Sequence, residues 1–132
     1  MATKNDYCDY DTCVALKELG FPQDYIFARY AMVDKWVDYT SHKKGDLIIS
    51  EDRFAFTLES ESIVAPLLYE AQKWLREEKG IIVGTINNFT TQEFDYYVST
   101  WEEDRCRGNK YTSYEDALQR GIKEAVKILK EK

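Results

Sequence analysis

The stretch PLLYEAQKWLREEKGIIVGTINNFTTQEFDYYVSTW, Pro66 to Trp101, decides the fold class. Its first half sets Leu67, Leu68, Ala71, Trp74 and Leu75 on one helical face, with Pro66 at the first helical position and Gly80 as the stop. That spacing predicts a helix from Pro66 to Lys79. Beyond Gly80, Ile81 to Ile86 reads as a buried strand and Asn87 to Gln92 as a loop. Phe94 to Trp101 follows as a strand alternating Phe94, Tyr96 and Val98 against Tyr97, Ser99 and Trp101. Two strands separated only by a short loop pair as a hairpin, which makes the sheet antiparallel.

Working outward, Asp9 caps a helix from Tyr10 to Leu19, with Cys13, Val14, Leu16 and Leu19 apolar, and Gly20 followed by Pro22 ends it. Tyr25 to Tyr39 is aromatic and β-branched, with Asp34-Lys35 as a turn, and predicts a first hairpin. Ser41 to Gly45 is a polar turn ahead of a short strand at Leu47 to Ile49, and Arg53 to Leu58 alternates as a half-buried strand. After the polar segment Glu102 to Lys110, Thr112-Ser113-Tyr114-Glu115 forms a capping box for a last helix. On that helix Leu118, Ile122, Ala125 and Leu129 share a face, and Lys127, Lys130 and Lys132 suit the C-terminal dipole. The expected architecture is α+β: an antiparallel sheet built from hairpins, about three helices packed on one face, a two-layer sandwich within one compact domain spanning 1–132.

Composition agrees with a folded domain: the 132 residues are 44% hydrophobic and 32% charged, with 6 Gly and 2 Pro, too few for a linker-rich or fibrous chain. No apolar run approaches the ~20 residues of a membrane span, and Met1 to Tyr10 has no secretion-signal pattern, so a cytoplasmic protein without membrane partners is expected. The net charge of −6 opposes duplex nucleic acid as a partner. Acidity is concentrated in residues 1–66, with 7 basic against 12 acidic side chains. Residues 67–132 carry 11 against 12, so an anion site is better sought there.

Chemistry-bearing motifs are sparse. The three cysteines, Cys8, Cys13 and Cys106, match no zinc or disulfide spacing; Cys13 reads as a core residue, and Cys106 lies between Arg105 and Arg107. The single histidine, His42, has Lys43 and Lys44 beside it, and no nucleophile elbow, phosphate loop or dinucleotide turn occurs. Accordingly no catalytic residue, metal ligand or cofactor is assigned.

The aromatic complement, 10 Tyr, 3 Trp and 6 Phe, exceeds what a core of this size needs. Alternation puts Tyr97 and Trp101 on the face opposite Tyr96, so an aromatic pair should lie outside the helix-covered core. Arg105, Arg107 and Lys110 follow, and with Tyr97, Trp101 and Tyr111 they form the candidate ligand site, bases on rings and phosphate on guanidinium forks. The alternative is a salt-bridged loop, since Glu102, Glu103 and Asp104 neutralise it.

Three blocks carry a resemblance: Tyr10-Asp11 with Leu16-Lys17-Glu18-Leu19-Gly20-Phe21; Ala65-Pro66 with Trp74-Leu75-Arg76-Glu77-Glu78-Lys79-Gly80-Ile81; and Tyr114-Glu115-Asp116-Ala117-Leu118 with Gly121-Ile122 and Ala125. In these the chain resembles a recurring type of small protein from phages and prophages of gut Bacteroidales bacteria. Its motifs are caps, stops and core stripes, so the resemblance implies a context, an accessory gene of a mobile element, and no catalytic residue. In that context the expectation is a protein that sequesters a small ligand, a nucleotide immune signal, with a homo-oligomer as the assembly that would build its pocket. The alternative is a module that binds a host protein through an exposed aromatic or acidic surface.

Overall fold

The computed structural model describes residues 6–23, 28–37, 40–49, 62–100, 104–106 and 111–131, with 35–37, 40–42, 49 and 104–106 described by backbone alone. The elements follow the order α1 (Tyr10–Glu18), β1 (Ala28–Ala31), β2 (Lys35–Val37), β3 (Thr40–His42), β4 (Leu47–Ile49), β5 (Ser62–Val64), α2 (Leu68–Lys79), β6 (Ile82–Asn88), β7 (Glu93–Ser99), β8 (Asp104–Cys106) and α3 (Tyr114–Lys130). All strand pairings are antiparallel, so the protein is an α+β mix as the sequence indicates. Among the described residues the strands form three ladders, β4-β1-β5, β2-β3 and β6-β7-β8, where one sheet was expected. No helix among the described residues is long and apolar enough to cross a membrane. The chain divides into two compact units, Asp9–Pro66 and Met1–Cys8 with Leu67–Lys132.

In the unit Asp9–Pro66, Asp9 caps α1 by accepting a hydrogen bond from the Thr12 amide at 2.9 Å, and Gly20, at φ 100°, follows the C-cap Leu19. The helix packs against β5, burying Cys13 and Leu16. Among the described residues of the expected hairpin over Tyr25 to Tyr39, β1 and β2 do not pair with each other. β1 is a central strand, pairing Arg29 with both Ile48 and Val64, while β2 pairs with β3, which places Ser41 and His42 in a strand and not in a turn. Asp34 makes no hairpin turn with Lys35 because its carboxylate accepts the Lys44 amide at 2.9 Å, tying it to the turn before β4. The central position of β1 is held by Arg29, which donates from Nε to Ser62 Oγ (2.6 Å), from Nη2 to Ser62 O (3.2 Å) and from Nη1 to Gln23 O (3.1 Å). The expected strand Arg53 to Leu58 lies outside the described residues.

In the other unit, α2 begins two residues later than expected. Leu67 is its N-cap, and Glu70 Oε1 accepts the Leu67 amide at 3.0 Å, so Pro66 precedes the helix. Gly80 takes φ 66°, the left-handed turn that stops it. Trp74, expected in the apolar stripe, is half-buried under the Lys79 ammonium, 5.4 Å from its ring. The β6–β7 hairpin forms as read, but β6 runs on through Asn87 and Asn88, leaving a tight loop at 89–92. Asn88 Oδ1 accepts the Thr90 and Thr91 amides (3.1 and 3.3 Å), and Gln92 closes the loop at φ 58°. The segment read as purely polar, Glu102 to Lys110, contains β8, which pairs with β7. The capping residue of α3 is Ser113, not Thr112: its Oγ accepts the Asp116 amide at 3.1 Å. Helix α3 lies across β6 and β7, with Gly121 against Val83 and Tyr96, and α2 packs beside α3 and β6.

Candidate functional site

Antiparallel register divides the hairpin into two faces. Val83 opposite Val98 and Thr85 opposite Tyr96 form the face under α3, where Val83, Tyr96 and Val98 are buried. Ile82 opposite Ser99, Gly84 opposite Tyr97 and Ile86 opposite Asp95 form the other. There Ile82 and Ile86 remain 45% and 47% exposed, and Phe89 at the loop 88%. The Tyr97 ring lies directly across Gly84: a Cβ at this position would stand 2.5 Å from the far end of the ring, so any larger residue would displace the tyrosine. The split between Tyr96 and Tyr97 is thus the one that alternation predicts.

That same split separates two members of the candidate ligand set. Tyr111 bridges Phe94 through paired backbone hydrogen bonds and tilts its ring against Tyr96, centroids 6.3 Å apart, on the α3 side, while Tyr97 lies on the open side. Register places Arg105 opposite Val98 and Cys106 opposite Tyr97 in β8. Trp101, Arg107 and Lys110 lie outside the described residues.

A cleft of about 370 Å³ opens elsewhere in this unit, lined by Asp6, Leu67, Leu68, Tyr69, Tyr114, Glu115 and Leu118. Each wall has a local cause. Leu68 is the first core residue of α2, Leu118 follows Ala117 at the start of the α3 core, and the two leucines form a buried floor. Tyr69 follows Leu68 by one position, off the apolar stripe, and stays 63% exposed; Tyr114 opens α3 and stays 43% exposed. The Phe94 ring meets Tyr114 edge to face, 6.5 Å between centroids, and fixes that wall. Asp6 is held at the rim because Tyr7 bridges Leu67 and its carbonyl accepts from Gln119 Nε2 at 3.2 Å. The sequence reading passed over this cleft, taking Tyr114 as part of a cap and Leu118 as core. The available signal was an aromatic in the first turn of each helix, Tyr69 and Tyr114, each followed by a glutamate.

Cys8 and Cys13 are both buried free thiols. Cys13 is buried in α1, and burial pushes its thiol far above the ordinary range, with the Asp9 carboxylate adding to the effect. No three His, Cys, Asp or Glu side chains among the described residues are grouped to hold a metal ion. In comparisons with known proteins, no family model, no curated protein and no solved structure matches this chain.

Proposed function

We propose that this protein captures a small molecule and thereby withholds it from other binders. The observation that carries the reading is the cleft at the first turns of α2 and α3, whose buried leucine floor, open tyrosine walls and volume of about 370 Å³ match a small-molecule pocket. The mobile-element context implied by the sequence resemblance supports sequestration as its use, because stoichiometric binding without turnover lowers the free concentration of a host signal. A nucleotide immune signal, the ligand class suggested by Arg105, Arg107 and Lys110 with Tyr97, Trp101 and Tyr111, would engage a different set of residues from those of the cleft.

Native mass spectrometry of gently purified protein, offered pools of nucleotides and of other small metabolites, tests the proposal. A discrete added mass that disappears on denaturation is expected. Tyr69→Ala should abolish it for a cleft ligand, and Arg105→Glu with Arg107→Glu for a nucleotide on the β7–β8 side. Bare protein in every pool refutes capture.

A second reading, docking of a host protein, is favoured by the open hairpin face, where Ile82, Ile86 and Phe89 stand exposed beside Tyr97. A partner complex lost on Ile86→Asp with Phe89→Asp, while small-molecule binding survives, would select it over capture.

A further inference from the structure

We infer that the cleft between the first turns of α2 and α3 takes a small organic cation with an apolar body, of the quaternary or alkyl-ammonium class. The inference deepens the small-molecule reading above and rests on it. Three features of the lining point to this class. The two exposed walls, Tyr69 and Tyr114, are aromatic, and aromatic faces attract ammonium groups most strongly where water is excluded. The floor of Leu68 and Leu118 is apolar and buried, and so suits alkyl or aryl carbon. The charged members of the lining, Asp6 and Glu115, are both acidic, and no basic side chain lines the cleft among the described residues.

Two helix N-termini open on the cleft, and taken alone they would favour an anion. Here their charge is already answered. Glu70 accepts the Leu67 amide, Ser113 accepts the Asp116 amide, and Glu115 and Asp116 occupy the first turn of α3. A phosphate would meet these carboxylates in a cleft that no basic side chain lines among the described residues, whereas an ammonium group is attracted by rings and carboxylates together.

The test titrates the full chain with choline against its neutral isostere 3,3-dimethylbutan-1-ol, and with benzyltrimethylammonium against benzyl alcohol, following the Leu68 and Leu118 methyl groups by NMR. Each cation should bind at least about fivefold more tightly than its neutral partner, and added salt should narrow the gap. Tyr69→Leu and Glu115→Gln, both at solvent-accessible positions, should each weaken cation binding by about three- to tenfold and weaken the neutral probes by less, so that the cation-to-neutral ratio falls. Equal binding of cation and neutral partner, or a Glu115→Gln variant that binds cations as the parent does, overturns the cation class while capture stands. Methyl groups that respond to none of the four probes also overturn it, and bare protein in every mass-spectrometric pool then removes the capture reading as well.

Discussion

Gly121 sits mid-way along α3 with no space between the helix and the strands beneath it. A Cβ at this position would stand 2.7 Å from Val83 Cγ1 and 3.2 Å from Tyr96 Cβ. Two effects of opposite sign therefore meet in Gly121→Ala. Alanine raises helix propensity by about 0.8–1 kcal/mol, because it loses less backbone freedom than glycine on folding. Against that, carbon atoms settle about 3.5–4.0 Å apart, so α3 has to lift by roughly 1 Å or Val83 has to leave its rotamer, and overpacking of this kind costs about 1–3 kcal/mol. Val83 is β-branched and Tyr96 Cβ is fixed to its backbone, so neither obstacle yields cheaply. With both obstacles fixed, the overpacking cost falls in the upper half of its range, about 2–3 kcal/mol, and the expected net loss is about 1–2 kcal/mol. Urea unfolding followed by far-ultraviolet circular dichroism should show a lower midpoint with an unchanged slope. In a Val83→Ala background the nearest obstacle is gone, and adding Gly121→Ala should be neutral or stabilising by up to about 1 kcal/mol. A Gly121→Ala protein as stable as its parent, or a cost that persists undiminished beside Val83→Ala, would refute the claim that β6 sets how closely α3 approaches.

Three further predictions concern the rest of the structure. Ser113→Ala should cost about 1 kcal/mol in chemical denaturation, while Thr112→Ala stays within about 0.5 kcal/mol; the reverse order would move the cap back to Thr112. Arg29→Lys keeps the charge but loses the fork that spans Ser62 and Gln23, and should cost about 1–2 kcal/mol, read as a fall of several degrees in melting temperature. The Cys13 thiol, raised by burial and then by Asp9, stays protonated in the folded protein while its unfolded counterpart ionises above the ordinary value of 9.0. Its contribution to stability is therefore complete below pH 9 and declines as pH rises, by up to about 1.4 kcal/mol per pH unit. Cys13→Ala should be less stable overall yet lose that part of the alkaline slope, and an identical slope in both proteins would contradict the assignment.

The parts of the fold legible in the sequence are those governed by neighbours a few residues apart. Asp9 bonds an amide three positions on, Gly80 stops the turn it ends, and the alternation of Tyr96 with Tyr97 follows from the pleat alone. The misreadings share the opposite cause. Asp34 resembles a turn residue beside Lys35, but its partner is the Lys44 amide, ten positions away. The Ser62–Val64 segment is short and carries no alternation, and it is a strand through its pairing with β1, 33 residues away at Arg29 and Ser62. β8 is strand through its pairing with Tyr97, Val98 and Ser99, against a local composition that reads as loop.

The candidate sites divide in the same way. From sequence, the aromatic excess pointed to β7, and register separates Tyr97 from Tyr111 because a strand sends successive side chains to opposite faces. The cleft needed tertiary structure. Tyr69 and Tyr114 are 45 positions apart in the chain, and only the packing of α2 against α3 brings them to one opening.

By itself the sequence determined the helices, the cap at Asp9, the stops at Gly20 and Gly80, the β6–β7 hairpin and the α+β class, because caps, stops and periodicities act over one turn or one pleat. Tertiary structure alone decided which strands became neighbours, which face of the hairpin stayed open and where a cleft remained. Those outcomes depend on contacts between distant residues, whose free energy is gained only once the intervening chain has been ordered.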